Sequence, residues 1–335
     1  MDGQWRVHSA EQPHHSLVES TQIMIEAQRL SKRYGSTLAV DDLSFEVREG
    51  QVTGFLGPNG AGKSTTLRMI LGLDSPSGGQ VTIGGRAYGS IRHPLFEVGA
   101  LLDAKAIHEG RSAYNHLLCL AQSNGIGRRR VEEVLDIVGL TSVAHKRAGT
   151  FSLGMGQRLG IGGALLGDPA VLIFDEPVNG LDPDGIVWVR NLLRSLADEG
   201  RTVFVSSHLM AEMALTADHV IVIGRGKLLA ESSIDDLINS STHNFVRIRS
   251  PQQGELAALV TANGGTTTVE PDGSLAAFAI SAQMIGDLAA ANRIALHELA
   301  PQEASLEDIY MGLTHDSVQY RSGATVGATP TPKAA

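Results

Sequence analysis

The chain has 335 residues, a formal net charge of −9 and 42% hydrophobic residues. This length allows two domains with sizeable cores, and no run of about 18 apolar residues predicts a transmembrane helix. The acidic balance argues against a nucleic-acid-binding protein, because such proteins present a basic face to phosphates. The single cysteine, Cys119, excludes an intrachain disulfide and a cysteine-based metal cluster. Its apolar neighbours in residues 116–121 predict that it is buried.

Both ends of the chain have the composition of tails. Residues 1–21 are polar and aperiodic, which predicts a mobile segment, and they lack the basic patch and apolar run of a secretory signal. Residues 315–335 consist largely of Gly, Thr, Pro and Ala, which predicts disorder. We therefore expect a cytoplasmic chain whose ordered part divides into residues 22–239 and 240–314.

The first ordered segments predict strands. Residues 22–30 alternate apolar and polar side chains, residues 43–47 repeat this pattern, and residues 51–56 form a short apolar run typical of a buried strand. A helical pattern follows over residues 63–71. These segments together predict a β-rich subdomain at the start of an α/β domain.

A glycine-rich loop lies between the buried strand and the helix. Residues 57–65 read GPNGAGKST and satisfy the pattern G-x-x-x-x-G-K-[ST]. In this context successive backbone N–H groups and the helix N-terminus surround phosphate oxygens. Lys63 adds a point charge, and Ser64 offers a hydroxyl to a phosphate-bound Mg²⁺. The loop therefore predicts a nucleotide-phosphate site.

The following chain predicts a sheet with a helical insertion. Residues 97–102 read as a buried strand that ends at Asp103, and residues 111–166 carry three helical patterns. Three further apolar runs, at 171–174, 202–206 and 219–223, predict strands of a mainly parallel sheet buried on both faces. Ligands bind at the carboxyl ends of such strands, where the loop, Asp175 and His208 all fall.

From about residue 240 the pattern changes. Strand candidates and helical patterns follow one another in the order β-α-β-β-α-β, which fits a small α+β domain of the ferredoxin-like type. A short helical pattern over residues 306–313 precedes the tail. Acidic residues outnumber basic ones in this part of the chain, so we expect no nucleic-acid partner.

Two adjacent carboxylates end the strand at residues 171–175. Asp175 stands where a carboxylate holds Mg²⁺ beside a phosphate loop. Because strand side chains alternate, we expect Glu176 to point away from Asp175 and to polarise an attacking water. His208 closes the next strand, at a height from which an imidazole reaches the γ-phosphate and Glu176.

With these motifs in this order, residues 22–235 resemble the ATP-binding subunit of an ABC transporter. The resemblance implies a P-loop ATPase with a parallel-sheet core, a β-rich subdomain and a helical subdomain. It implies that Tyr34 stacks on adenine beside Val40, that Glu176 and His208 are catalytic, and that Asp182 belongs to the D-loop. It implies ATP and Mg²⁺ as cofactors, with ATP bound by Tyr34, Val40, Gly57, Pro58, Asn59, Gly60, Ala61, Gly62, Lys63, Ser64 and Thr65, and the metal by Ser64 and Asp175.

The segment FSLGMGQR, residues 151–158, stands where this family carries its LSGGQ signature. Ser152 and Gly154 match the residues that contact the ATP of the opposite subunit, which implies a head-to-tail dimer of two copies. Leu153 and Met155 depart from the pattern in a way that resembles the ATPases of daunorubicin-type multidrug and antibiotic exporters. The expected function is ATP hydrolysis that energises a separate membrane permease, for export of a drug, antibiotic or lipid-like compound.

The family's Q-loop position falls on Asp103. Aspartate can bind Mg²⁺ through oxygen but cannot donate a hydrogen bond as an amide does. The resemblance implies that residues 105–114 lie beneath the coupling helices of the permease, and that the chain is peripheral on the inner face of the cell membrane.

Two other functions remain open from the sequence. A soluble ABC ATPase that acts on a macromolecular assembly usually carries two cassettes, a long coiled-coil insertion or zinc-binding cysteines, and none of these is visible. An ATP-regulated binding module without hydrolysis disagrees with the intact Glu176 and His208. An ATPase assay of the purified protein separates the hydrolysing and non-hydrolysing alternatives.

Overall fold

The computed structural model describes residues 22–103, 106–239, 241 and 244–314. The tails predicted at 1–21 and 315–335 lie outside the described residues. The strands are β1 (Ile23–Tyr34), β2 (Thr37–Arg48), β3 (Val52–Leu56), β4 (Gly78–Ile83), β5 (Val98–Leu101), β6 (Val171–Asp175), β7 (Thr202–Ser207), β8 (His219–Gly224), β9 (Lys227–Ser233), β10 (Phe245–Arg249), β11 (Thr266–Val269), β12 (Leu275–Phe278) and β13 (Glu298–Gln302).

Helices alternate with these strands along the chain. They are α1 (Lys63–Ile70), α2 (Pro94–Glu97), α3 (Ala113–Ser123), α4 (Arg128–Ile137), α5 (Leu153–Leu165), α6 (Pro183–Asp198), α7 (Met210–Thr216), α8 (Ile234–Asn239), α9 (Gln253–Ala262), α10 (Ala282–Ala291) and α11 (Leu306–Thr314). Within the described residues, no helix is long and apolar enough to cross a membrane.

A six-stranded sheet forms the centre of the larger domain, in the order β5-β6-β7-β3-β8-β9. All neighbouring strands are parallel except the edge pair β8 and β9. Every residue of β3 is buried, as expected for a strand with both sheet faces covered. The predicted parallel core is thus confirmed. The glycine-rich loop follows β3, which is an inner strand, and so lies at the carboxyl edge of the sheet near its middle.

A second sheet covers one face of the first. Its three antiparallel strands have the order β2-β1-β4 and form the β-rich subdomain that the sequence predicts. Phe45 of this sheet lies against Phe55 and Phe204 of the central sheet, with ring centroids 5.6 and 5.8 Å apart. These rings join the two sheets through one apolar core.

Helices α3, α4 and α5 form the helical subdomain on the other side of the central sheet. Helix α3 begins where the Ser112 hydroxyl accepts a hydrogen bond from the Asn115 N–H, a capping contact that stabilises a first turn. The subdomain shares a core with the central sheet through residues such as Leu117, Val134 and Leu159. The prediction for Cys119 was wrong, because its side chain lies on the exposed face of α3.

The smaller domain is a four-stranded antiparallel sheet in the order β11-β12-β10-β13, with α9 and α10 packed on one face. The outer strand β11 follows α9 and the outer strand β13 follows α10. This is the split β-α-β arrangement. This topology confirms the ferredoxin-like fold.

Helix α11 corrects the predicted grouping of residues 240–314. The helix packs against α7, α8 and β9 of the larger domain, and Leu306 is a buried member of that domain's core. Amphipathic spacing predicts the helix but not the core it joins. The accessory domain therefore ends at β13, and the chain then returns to the larger domain.

Candidate functional site

The glycine-rich loop is held between two other strands. A Cβ atom at Gly62 would lie 2.6 Å from the Ala39 carbonyl oxygen, and Gly62 has φ of +106°. A Cβ atom at Gly57 would lie 2.6 Å from the Ile223 carbonyl oxygen. Side chains at these two positions would collide with backbone, so the pattern's glycines are required by packing as well as by phosphate geometry.

The side chain of Lys63 folds back into the glycine-rich loop. Its side chain is 6% exposed, and Nζ donates a 2.6 Å hydrogen bond to the Gly57 carbonyl oxygen. The Glu176 Oε1 atom lies 3.6 Å from the same nitrogen. Burial lowers the pKa of Lys63, and the charges of Glu176 and Asp175 counteract this effect. A buried cation between carboxylates and backbone oxygen is thus available to a phosphate.

Ser206 connects the Asp175 carboxylate to the backbone of Glu176. The parallel register pairs Asp175 with Ser206, and the Ser206 hydroxyl donates a hydrogen bond to the Asp175 carboxylate. The Glu176 N–H in turn donates to the Ser206 Oγ atom over 3.0 Å. Sequence reasoning did not assign Ser206 a role, although its position at the end of the neighbouring strand was a usable signal.

Glu176 leaves the extended conformation of β6. Its φ is +50°, a left-handed conformation that costs of order 1–3 kcal/mol for a residue other than glycine. The alternation expected for Asp175 and Glu176 therefore ends at Asp175, and both carboxylates act on Lys63. Strain of this kind concentrates at functional sites.

His208 completes the cluster. Its Nδ1 atom lies 2.7 Å from the Glu176 Oε2 atom. Because an ionised carboxylate only accepts hydrogen bonds, the Nδ1–H of His208 donates and Nε2 remains free to face another group. The structure thus brings Lys63, Asp175, Glu176 and His208 together, as the order of the motifs predicts.

A cavity of about 230 Å³ lies over the loop. Its lining residues are Ala39, Pro58, Asn59, Gly60, Gly62, Lys63, Ser64, Thr65 and Glu176. The expectation for Val40 needs correction, because this side chain has 0% exposure and packs into the core between the sheets. The alternation of β2 places Ala39, not Val40, on the cavity.

Tyr34 lies at the end of β1 and is 46% exposed. Its hydroxyl donates a 2.8 Å hydrogen bond to the Asp74 Oδ2 atom, which also accepts from Arg68 Nε over 2.8 Å. These contacts lower the pKa of Asp74, with the Arg68 hydrogen bond as the largest cause. Lys32 Nζ lies 4.9 Å from the centroid of the tyrosine ring. An exposed aromatic ring with a fixed hydroxyl is suited to stacking.

The signature and D-loop segments contact each other within the chain. Ser152 caps α5 by accepting from the Met155 N–H, and Asp182 caps α6 by accepting from the Gly185 N–H over 3.0 Å. The Leu153 side chain lies against Gly180, where a Cβ atom would be 2.4 Å from its Cδ2. Ser152 and Asp182 are exposed, and neither lines the cavity over the loop.

Asp103 lies in a different part of the molecule. It lines a groove of about 450 Å³ between the central sheet and the helical subdomain, together with residues such as Leu73, Leu101, Ile107 and Leu120. Asp103 therefore does not line the cavity over the loop. Residues 104–105, where the predicted permease-contacting segment begins, lie outside the described residues.

Several known proteins resemble this chain. A family described as "ABC transporter" matches residues 40–179, and a family described as a domain of unknown function matches residues 244–307. The bacitracin transport ATP-binding protein BcrA of Bacillus licheniformis is 37% identical over 311 residues, which span 91% of this chain and 99% of that protein. The Enterococcus faecalis protein of the same name is 34% identical, with 87% of this chain and 96% of that protein covered. The dimeric structure of a bacterial ABC transporter cassette has a TM-score of 0.58 at 25% identity and covers 63% of this chain and 99% of that one.

Proposed function

The chain belongs to the ATP-binding subunits of ABC transporters and is an ATPase, and we propose that it drives a separate membrane permease that exports an antibiotic-like or lipid-like compound. Family membership confirms the resemblance predicted from the motifs. The observation that carries the proposal is the cluster of Lys63, Glu176 and His208 beside the loop cavity. It combines a cation for phosphate, a carboxylate for water and an imidazole in one network.

ATP binds along the loop. Its phosphates accept hydrogen bonds from the backbone of residues 57–65 and from Lys63, whose pKa shift reflects a buried position. The base stacks on Tyr34, and Ala39, not the Val40 expected beside the base, is the residue of β2 that lines the cavity. Support comes from the exposure of the Tyr34 ring and from the lining of the cavity.

Ser64 and Asp175 fit an Mg²⁺ site. Both supply the oxygen ligands that Mg²⁺ prefers, and Ser206 holds the Asp175 carboxylate by a hydrogen bond. Within the described part of the chain, no group of three or more His, Cys, Asp or Glu side chains could hold a metal ion, so phosphate oxygens and water would complete the coordination. When bound, the ion neutralises charge on the phosphates.

Glu176 and His208 carry the chemistry. Glu176 orients a water molecule and accepts its proton, and the Nδ1–H of His208 fixes the carboxylate in place. The imidazole Nε2, which this hydrogen bond does not use, would be the atom that contacts the γ-phosphate. Lys63 stabilises the negative charge that develops on the transferred phosphate.

Two copies of the chain complete each ATP site. Ser152, Gly154 and Asp182 do not line the cavity of their own chain, and they lie at or near the starts of α5 and α6, where exposed residues can meet a second copy. In the head-to-tail dimer, each ATP lies between Lys63 of one protomer and Ser152 of the partner subunit. The dimeric cassette with a similar fold is consistent with this arrangement.

The permease binds at the groove that Asp103 lines, between the central sheet and the helical subdomain. Leu73 is 57% exposed and Leu120 is 38% exposed at its rim, and exposed apolar side chains around a groove favour protein docking. The permease keeps the ATPase at the inner face of the cell membrane, and no nucleic acid takes part.

The ATPase reaction of the purified protein tests these roles. Lys63→Ala should weaken ATP binding, whereas Glu176→Gln should preserve binding and lower kcat by about 10²–10⁴-fold. Glu199→Gln changes the same residue type at an exposed ion pair far from the cavity and should retain the wild-type rate. ATP hydrolysis by both Lys63→Ala and Glu176→Gln at the wild-type rate would contradict the assignment.

A further inference from the structure

Helix α7 connects the catalytic cluster to the C-terminal end of the described chain. It begins at Met210, two residues after His208. The helix has only 7 residues, and so short a helix depends on tertiary packing for its stability. His208 follows β7 directly on one side, so the elements that pack on α7 hold its backbone on the other side.

One side of α7 is held by α6. The Arg190 Nη2 atom lies 2.7 Å from Glu212 Oε2, and Arg194 Nε donates a 3.1 Å hydrogen bond to the Leu215 carbonyl oxygen. The ion pair is about three-quarters buried on both sides. Helix α6 thus fixes α7 through polar contacts.

Helix α11 supports α7 through apolar contacts. It packs on α7, α8 and β9, and Leu306 is 3% exposed in the same core as Met210 and Met213. Tyr310, one turn further, packs against this core. Ser305 and Asp308 form reciprocal hydrogen bonds at the start of α11, a capping box that defines where the helix begins.

The charge of Glu176 also acts on Tyr310. Burial raises the pKa of Tyr310 to about 12, and the negative charge of Glu176 adds to this increase. Tyr310 therefore packs against the core that contains Met210 and Met213 of α7, and it also interacts electrostatically with Glu176.

The accessory domain is joined closely to α11. Strand β13 ends at Gln302, so three residues separate it from Leu306. The Asn244 Oδ1 atom accepts a 2.7 Å hydrogen bond from the Ala304 N–H, and Asn244 Nδ2 donates to the Ile238 carbonyl oxygen. A displacement of the accessory domain would therefore be transmitted to α11.

We propose that Leu306 and Tyr310 are positioning residues for His208, and that α11 makes the rate of ATP hydrolysis depend on the accessory domain. The inference rests on the proposed function, since it deepens the regulation of the same site. The role is distinct from nucleotide binding, because α11 contributes no residue to the cavity over the loop.

Variants of Tyr310 in the full-length protein test this proposal. Tyr310→Ala should lower kcat by about tenfold and leave the KM for ATP within about twofold, because small displacements of catalytic groups reduce the rate of chemistry. Tyr310→Phe keeps the ring and should therefore lower kcat less than Tyr310→Ala does. Met311→Ala is the matched control, because Met311 is 60% exposed on the same helix.

Hydrogen exchange separates positioning from general destabilisation. Tyr310→Ala should accelerate exchange of the Met213 amide in α7 and of the Ala217 amide, which bonds to the Met213 carbonyl at the end of the helix, while α1 remains protected. If Tyr310→Ala does not fold, Tyr310→Leu keeps an apolar contact and must show the same separation of kcat from KM. Unchanged kcat in the folded variant, or an equal loss in Met311→Ala, would overturn the inference. A wild-type protein without ATPase activity would instead overturn the proposed function.

Discussion

At the scale of single residues, Tyr34 is held in place by charged neighbours. Its hydroxyl is tied to Asp74, which Arg68 also holds, and Lys32 lies over the ring. Lys32 is itself fixed by a 2.6 Å hydrogen bond to the Ser75 carbonyl oxygen. A cation on one face of the ring leaves the opposite face open, so under the proposed function these contacts would determine the side on which adenine stacks.

Asp74→Asn tests this preorganisation. The variant loses the charged acceptor shared by Tyr34 and Arg68, so the KM for ATP should rise by about fivefold, equivalent to about 1 kcal/mol, with kcat unchanged. Asp272→Asn is a matched control, because Asp272 also pairs with an arginine but lies in the accessory domain. Steady-state ATPase kinetics give both parameters. An equal KM in the two variants would contradict the role of Asp74.

The sequence predicted the chemical groups of the site better than their supports. Lys63, Asp175, Glu176 and His208 follow strands in a recognisable order, and the parallel register brings them together. Three features were not predicted. Ala39 rather than Val40 lines the cavity, the Glu176 backbone is left-handed, and Ser206 bonds both to the Asp175 carboxylate and to the Glu176 N–H. Each depends on strand register or a backbone angle at a strand end, and a single residue of register reverses which side chain faces the site.

At the scale of elements, the signature helix and the D-loop behave as one unit. Leu153, which replaces the first glycine of the family pattern, lies against Gly180, and Gly154 lies against Leu181. The larger side chain therefore fills space above the D-loop within the same chain. This packing gives the departure at Leu153 a structural reason.

Gly180→Ala should uncouple this unit. Its Cβ atom would lie 2.4 Å from Leu153 Cδ2, and φ at this position is +72°, so ATPase activity should fall while ATP binding persists. Gly200→Ala is the matched control, since φ there is +89° and a Cβ atom meets nothing within 4 Å. Both variants should lose about 1 kcal/mol of folding stability from backbone strain.

A second substitution isolates the contact. In a Leu153→Ala background, the loss of kcat caused by Gly180→Ala should shrink, because the colliding methyl group is gone, while the backbone strain remains. The double-mutant cycle measures this coupling. Additive effects on kcat would rule out direct packing as the cause.

At the scale of the whole molecule, the residues assigned to the proposed ATP site do not all line one cavity. The cavity over the loop is lined by residues such as Lys63 and Glu176, whereas Ser152 and Asp182 are exposed and do not line it. The accessory sheet has a core of its own, but α11 returns to the ATPase core. The periodicity of residues 306–313 identified the helix, whereas its burial site depends on a contact across more than 90 residues, which local patterns do not encode.

The oligomeric state in the presence of ATP tests the divided site. With ATP, the Glu176→Gln protein should have twice the 35.4 kDa mass of the chain. The reason is that ATP binds between the two protomers and is not removed by hydrolysis. Lys63→Ala should remain monomeric under the same conditions. Light scattering after size-exclusion chromatography measures both masses, and a monomeric Glu176→Gln protein at saturating ATP would exclude the proposed dimer.

The return of α11 also orders events during synthesis. Residues 245–302 form their sheet from a contiguous stretch, whereas the ATPase core lacks Leu306 until the accessory domain has already been made. Domains fold as units while the chain emerges from the ribosome, so the accessory sheet is complete before α7 gains its last support. An unfinished chain that already contains residues 57–65 would therefore still lack the packing of α11 on α7, the helix that follows His208.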